Sequence, residues 1–303
     1  MPNPKVSVII PTKNREEYVS RAVNSVLAQT FGDFEIIIIS DGSTDNTDSV
    51  IRSYDDKRII YLKFNVSKGA AAARNYGVRT AKGEYLAFLD DDDEWLPEKL
   101  AMQVDAMERS SPDVGLIYTW MDIYAGGKFI KRIAHKAKGD MFREMLGVPV
   151  IRGFSNVLIR KAVFDRLGDF DENLRRGIDS DMWRRIAKYY KVDYVPEALV
   201  KYDLTENRSR ISSQDRQGLE IAIQTEKVKL EKFKEDYLKN PDRKAEIYAM
   251  IAYDFSKLDG WGECVKYFGE ALKVWPYTAQ VYLLALKAAA HKIKRTLTRA
   301  AIK

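Results

Sequence analysis

The chain reads as an α/β protein built on a mostly parallel central sheet, with an α-helical extension at its C-terminal end. Three observations predict this. Over residues 5–109, short apolar runs alternate with segments of helical period. That is the order produced by a parallel sheet with right-handed crossovers. The run Phe34 to Ile39 contains Ile36, Ile37, Ile38 and Ile39 in succession, as expected of a strand buried on both faces. From about Gly218 the apolar residues recur only at helical spacing. Pattern alone does not separate the possible α/β folds.

Taken in order, Lys5 to Ile10 is a strand that ends at Pro11-Thr12, and a helix follows with Val19, Ala22, Val23, Val26 and Leu27 on one face. Phe34 to Ile39 is the second strand. Ser40 to Asp45 is turn chemistry leading into a second helix, with Val50, Ile51 and Tyr54 inward. Arg58 to Phe64 is the third strand, and Gly69 to Thr80 an alanine-rich, closely packed helix. Tyr85 to Leu89 is the fourth strand. Pro97 opens a helix carrying Leu100, Val104 and Met107, since proline is tolerated in a first helical turn.

The pattern then changes. Val114 to Tyr118 is a strand, Met121 to Ile133 a hairpin turning at Gly126-Gly127, and Ser155 to Ile159 a short strand. Asp179 to Tyr190 is an amphipathic helix with Met182, Ile186 and Tyr189 on one side. Val192 to Val195 and Leu199 to Tyr202 read as two edge strands, and Thr205 to Gln217 as a mobile loop. The helical part carries Ile221-Val228-Phe233, Ile247-Ile251-Phe255 and Val265-Phe268-Leu272, with breaks at Gly260 and Pro276. Ala245 to Trp275 resembles a single tetratricopeptide-type hairpin. The expected division is 1–213 for the α/β domain and 214–303 for the extension.

Composition narrows the class. A chain of 303 residues, 46% hydrophobic and 31% charged, is long enough for one large domain plus a smaller one. The lone cysteine, Cys264, has no internal partner, which fits a reducing, cytoplasmic setting. His135 and His291 lie far apart, which disfavours zinc chemistry. No signal peptide or membrane-spanning run is expected. The net charge is +6, and the bases Lys287, Lys292, Lys294, Arg295, Arg299 and Lys303 close the chain without an acid. In the last helix Leu283, Leu286, Ala290, Ile293, Leu297 and Ala300 form one stripe, with the bases mostly off it. Two readings stay open: a helix lying on the cytoplasmic face of a membrane, or one packed on its neighbours with a solvated basic face. A nucleic-acid partner is not expected, because no aromatic-interleaved basic surface accompanies the tail.

Chemistry concentrates in the acidic run Asp90-Asp91-Asp92-Asp93-Glu94 directly after the fourth strand. Crowded carboxylates repel unless a cation or strong donors offset them, and hard oxygen ligands suit Mg²⁺ or Mn²⁺. A plain solvated loop is the alternative, with Asp93 or Glu94 favouring the start of the helix at Pro97. Three further segments belong with it: Pro11-Thr12-Lys13-Asn14-Arg15, Ser40 to Asp45, and Gly69 to Gly77 with Arg74 inside. The first, second and acidic segments fall at strand ends on one edge of a parallel sheet, where such sheets hold ligands.

Together these segments resemble, in order and spacing, the family 2 glycosyltransferases, inverting nucleotide-sugar enzymes of GT-A fold. The match covers about the first two thirds of the chain. It implies nucleotide-binding roles for Pro11, Thr12, Asn14, Arg15, Asp41, Gly69, Arg74, Asp90 and Asp91, and a divalent metal, Mn²⁺ or Mg²⁺, at Asp90 and Asp92. Asp41 matches the acid that accepts a hydrogen bond from the base, usually uracil. The segment Arg176 to Trp183 resembles the family's Glu-Asp motif, which makes Asp179 the catalytic base and Asp181 the fallback. Here Ile178 stands where the glutamate is usual, which leaves the acceptor open. Some relatives carry a metal-binding histidine after a strand matching Leu199 to Tyr202; Asp203 is the substitute at that place. Arg208-Ser209-Arg210 is a contact for the diphosphate. The implied reaction moves a sugar, UDP-linked by preference, onto an acceptor hydroxyl of a saccharide or lipid-linked substrate. A nucleotidyltransferase is the nearest rival, disfavoured by the absence of glycine from Pro11 to Arg15. A catalytically inactive nucleotide- or sugar-binding module is the other.

Overall fold

A computed structural model describes residues 3–204 and 215–301, with the side chains of the last helix described as far as Lys294. The expected loop contact Arg208-Ser209-Arg210 lies outside the described residues, as do the side chains of Leu297 and Ala300.

The elements run β1 (Val6–Thr12), α1 (Val19–Leu27), β2 (Phe34–Asp41), α2 (Thr47–Arg52), β3 (Ile59–Phe64), α3 (Ala70–Thr80), β4 (Tyr85–Phe88), β5 (Asp93–Trp95), α4 (Lys99–Arg109), β6 (Val114–Ala125) and β7 (Lys128–Ile133). They continue with α5 (Phe142–Leu146), β8 (Val157–Arg160), α6 (Lys161–Leu167), α7 (Ile178–Tyr189), β9 (Lys191–Asp203), α8 (Arg216–Lys232), α9 (Lys234–Lys239), α10 (Pro241–Lys257), α11 (Trp261–Val274) and α12 (Ala279–Ala301). The chain falls into two compact units. One takes Met1–Met141, Val150–Asn173 and Ile178–Arg208, the other Phe142–Pro149, Leu174–Gly177 and Ser209–Lys303.

The first unit holds a mixed, mostly parallel sheet in the order β3-β2-β1-β4-β8-β6-β9-β5, with β7 paired to β6. Among the described strands, β1, β2, β3, β4, β6 and β9 run one way and β5, β7 and β8 the other. The register keeps strand ends level: Pro11 faces Ile39, Thr12 faces Ser40, and Ile9 faces Phe88. The loops after β1, β2 and β4 therefore leave from one edge.

Glu35 interrupts the apolar β2 run, yet it is buried. Its carboxylate accepts from Ser7 Oγ at 2.6 Å and Lys82 N at 2.7 Å, which offsets the cost of burying it. Ser7 Oγ in turn accepts from Gly83 N at 2.8 Å, so the turn into β4 is tied to β1. Helix α3 lies close on the sheet because Gly77 has no side chain: an added Cβ would come within 2.6 Å of Ile9.

Several expectations change. The runs expected as two edge strands form the single strand β9, which sits between β6 and β5. Pro196 falls where the β6–β9 register shifts between Thr119 and Trp120, so the irregularity that splits the apolar pattern is absorbed within one strand. Asp93 and Glu94 do not serve the following helix; they form β5, and α4 has Glu98 at its N-cap. Tyr189 is exposed rather than inward, with Arg166 stacked 5.0 Å from its ring.

In the second unit Leu146, Ile223, Phe233, Tyr237, Ile247 and Ile251 form one core, and α10 packs against α11. Asp215 caps α8, its side chain accepting from Gly218 N at 2.7 Å, a bond of the kind worth about 0.5–2 kcal/mol. Val228, Val265 and Leu272 are exposed; on α11 the buried positions are Cys264 and Ala271. On α12 the stripe read from sequence is also outward: Leu283, Leu286 and Ile293 are exposed, while Val281, Leu284 and Ala288 are buried. A helix of this composition has two apolar stripes, and period alone does not choose between them. Among the described residues no helix is long and apolar enough to cross a membrane.

Candidate functional site

The loops after β1 and β2 are laced together by hydrogen bonds. Asn14, held at a positive φ of 52°, donates its N–H to Ser43 Oγ at 3.1 Å and accepts from Thr44 N at 2.8 Å. The N–H of Arg15 reaches Thr47 Oγ1 at 2.8 Å, and the Glu16 carboxylate accepts from Asn46 N at 3.0 Å. The side chain of Asn14 is thus a brace between two edge loops. Thr12, at the end of β1, is buried, and Pro11 precedes it inside the strand.

Asp41 ends β2 and is buried. Its carboxylate gathers the loop before α3, accepting from Ser67 Oγ at 2.7 Å, Lys68 N at 2.6 Å and Gly69 N at 3.0 Å. A carboxylate offers about four acceptor positions, so three are taken and one remains. Gly69, the N-cap of α3, sits at φ 97°. A Cβ there would meet nothing within 4 Å, so positive φ, not close approach within the chain, is what requires glycine.

One turn into α3, Arg74 is 5% exposed. Its Nη1 donates to Ala70 O at 3.2 Å, its Nη2 pairs with Asp90 Oδ1, and its guanidinium lies 3.8 Å from the centre of the Phe154 ring.

The acidic run divides by environment. Asp90 is raised above the ordinary carboxylate range, first by burial and then by the charges of Asp92 and Asp179, against the pull of Arg74. Asp91 is buried, and its carboxyl is pushed up to about 7 by burial, with Thr12 and Arg15 acting the other way. Arg15 Nε lies 3.8 Å from Asp91 Oδ1. Asp92 keeps partial exposure, and its carbonyl accepts from Arg21 Nη2 at 2.6 Å. Arg21 also reaches Asp203 Oδ2 at 3.6 Å, so Asp203 is joined to the acidic loop through an arginine that the sequence pattern did not single out. Asp93 is buried against the Ser155 hydroxyl, and Glu94 pairs with Lys201 at 2.7 Å.

Asp179 stands in the first turn of α7, and its Oδ2 accepts from Gly153 N at 2.9 Å. It is close enough for its charge to act on Asp90. Asp181 is fully buried and ion-paired with Arg185 at 3.1 Å. That overturns it as the fallback base, since a base must meet its substrate. Ile178 is buried, so no carboxylate replaces the missing glutamate at that position.

The segment Gly153-Phe154-Ser155 was not singled out from sequence. Besides the Asp179 bond, Asp90 N donates to Ser155 Oγ at 3.1 Å and Trp95 Nε1 to Ser155 O at 2.7 Å. Its only sequence signal is a glycine, at φ 73°, directly before a short strand.

Among the described residues, no three carboxylate, imidazole or thiol side chains converge as a closed metal cage. The donor set still fits a hard divalent cation. Asp90 and Asp92 are oxygen donors on one short loop, and Asp90 is raised by burial and then by its neighbours' negative charge, the second of which a cation relieves. Mg²⁺ and related ions commonly bind through one or two carboxylates, leaving positions for phosphate and water.

The family model for glycosyl transferase family 2 matches residues 7–168, a span holding both strand-edge loops, Asp41, Arg74 and the acidic run. The chain belongs to glycosyl transferase family 2. An uncharacterized glycosyltransferase of Rickettsia typhi is 33% identical over 212 residues, 66% of this chain and 64% of that relative. The family 2 chain thus spans just under two thirds of that relative's length. A UDP-Glc:α-D-GlcNAc-diphosphoundecaprenol β-1,3-glucosyltransferase of Escherichia coli is 47% identical over 103 residues, 34% of this chain and 41% of the relative. Among solved structures, a mannosyltransferase of Pyrobaculum calidifontis in complex with GDP-Man and Mn²⁺ superposes with a TM-score of 0.64 at 20% identity, covering 98% of this chain and 84% of that one. The likeness shows a shared GT-A-type α/β fold.

Proposed function

We propose that this chain is an inverting glycosyltransferase that moves a sugar from a nucleotide-sugar donor, UDP-linked by preference, to an acceptor hydroxyl on a saccharide or lipid-linked glycan. The observation that carries the reading is the surroundings of Asp90, which is paired with Arg74 and lies within the electrostatic reach of Asp92 and Asp179. On this reading a donor-side cation site and an acceptor-side base are neighbours.

The proposed roles follow from position. Pro11, Thr12, Asn14 and Arg15 with Asp41 form the nucleotide edge, the fourth acceptor position of Asp41 serving the base. Gly69, Arg74, Asp90 and Asp91 face the ribose and diphosphate. Asp90 and Asp92 would hold Mn²⁺ or Mg²⁺, which when bound would supply positive charge to offset the negative charge that builds on the diphosphate. Asp179, oriented by its bond to Gly153, takes the proton of the acceptor hydroxyl. The acceptor oxygen attacks the anomeric carbon from the face opposite the diphosphate. A new glycosidic bond forms, the bond to the diphosphate breaks, and nucleoside diphosphate leaves.

The E. coli relative's lipid-linked acceptor and UDP-sugar donor support the preference for these classes. A cytoplasmic location at a membrane face fits such an acceptor. It is also supported by exposed Leu283, Leu286 and Ile293 on a helix without an acid from Ala279 to Lys294.

The test is a donor panel of UDP- and GDP-sugars with Mn²⁺, read by mass spectrometry with saccharide and polyprenyl-diphosphate acceptors. A glycosylated product of inverted anomeric configuration together with free nucleoside diphosphate is expected. Neither hydrolysis nor transfer with any donor, or release of pyrophosphate from a nucleoside triphosphate instead, would overturn the proposal.

A further inference from the structure

Three consecutive residues, Gly153, Phe154 and Ser155, each touch a different part of the site. Gly153 donates to Asp179 and accepts from Trp183 Nε1 at 3.3 Å. Ser155 receives the N–H of Asp90 and gives its hydroxyl proton to Asp93. Between them the Phe154 ring lies under Arg74, 3.8 Å from the guanidinium carbon.

Hydrogen bonding does not account for the whole orientation of Arg74. Nη1 and Nη2 have partners, but Nε is buried with no hydrogen-bond acceptor. The face of the phenyl ring is the group that meets the guanidinium, and a desolvated cation over an aromatic face is held electrostatically. The ring is itself fixed edge-to-face by two neighbours. Trp183, on the helix that carries Asp179, stands 5.8 Å away at 65°, and Phe170 stands 5.5 Å away at 79°. Rotation of the Phe154 ring would therefore disturb the arginine on one side and the base-bearing helix on the other.

We propose that Phe154 is a positioning residue whose ring sets the plane of Arg74 relative to Asp179, so that the donor and acceptor sides of the site share one frame. The inference rests on the reading of Arg74 as a donor contact and Asp179 as the base.

Phe164 supplies the control. It belongs to the same aromatic cluster, its ring pairing with Phe88 at 6.1 Å and Phe170 at 5.3 Å. The experiment measures binding of UDP and of GDP, each with Mn²⁺, by calorimetry, alongside thermal melting, for the full chain and for F154L, F154Y and F164L. F154L is expected to weaken nucleotide binding by about 5- to 20-fold. F154Y, which keeps the ring face, and F164L, which loses comparable core packing, should each stay within about threefold of the parent by the same argument, with F164L melting lower. Binding by F154L within threefold of the parent, or equal weakening by F154L and F164L, would show that Phe154 is only core. A parent chain that binds neither nucleotide would instead remove the donor reading, and this inference with it.

Discussion

Arg74 and Asp90 form an ion pair whose partners differ in exposure: the arginine side chain is 6% accessible, the aspartate 28%. The cation is the buried member and the anion the one that reaches solvent. A charge held this way is fixed by the fold on one side and available to a ligand on the other. Removing the guanidinium strands the half-buried carboxylate.

Arg74→Ala is expected to lower kcat/KM by at least about 30-fold, since a lost buried charge contact costs about 2–5 kcal/mol. Arg74→Lys should recover only part of this, because an ammonium does not present a planar face to Phe154. Steady-state rates with the best donor from the panel check it. An alanine variant within tenfold of the parent would show that the pair is structural alone.

Asp179→Asn keeps an oxygen to accept from Gly153 N–H, so the loop should stay in place. Turnover is expected to fall by about 10²–10⁴-fold, the range for a lost general base. Binding of UDP with Mn²⁺ should change by less than about threefold on the same reasoning. Equal turnover in parent and variant would sink the assignment of the base.

Asp41 accepts three donors from Ser67, Lys68 and Gly69. Asp41→Ala leaves all three without their acceptor, with a stability loss of about 2–3 kcal/mol, and Asp41→Asn a smaller one. The loop should then be cut faster by trypsin at Lys68, and the KM for donor should rise. Urea denaturation and timed proteolysis read the two effects separately. An alanine variant as stable and as resistant as the parent would mean the loop is held elsewhere.

Lys99 is fully buried, stacked 3.8 Å from the Trp95 ring and donating to Gln103 Oε1 at 2.6 Å. Burial pushes its amine well below the ordinary lysine value. In the window between that depressed pKa and the unfolded value near 10.4, the unfolded chain binds the extra proton. This group therefore makes the protein more stable as pH rises through the window and less stable as pH falls. Lys99→Met removes the slope. Compared by urea unfolding at about pH 7 and about pH 10, the methionine variant should gain on the parent at the lower pH and lose that advantage at the higher. An identical pH dependence in both proteins would contradict the assignment.

Sequence pattern alone determined the α/β class, the strand-helix order from β1 to β4, and the position of the acids at the end of β4. These are local properties. An apolar run between turn residues is a strand wherever it lies, and level parallel strands carry their loops to one edge. Motif resemblance added Asp41, Arg74 and Asp179. Tertiary structure decided what those groups rest on. Gly153, Phe154 and Ser155 reach Asp90 and Asp179 because β8 pairs antiparallel with β4, a choice between distant strands that no local period encodes. The same holds for β9, one inner strand where sequence showed two edge runs, and for α12, whose buried stripe is Val281, Leu284 and Ala288 instead of the Leu283 stripe. A side chain's period says which residues share a face, but only the packed neighbour settles which face is covered.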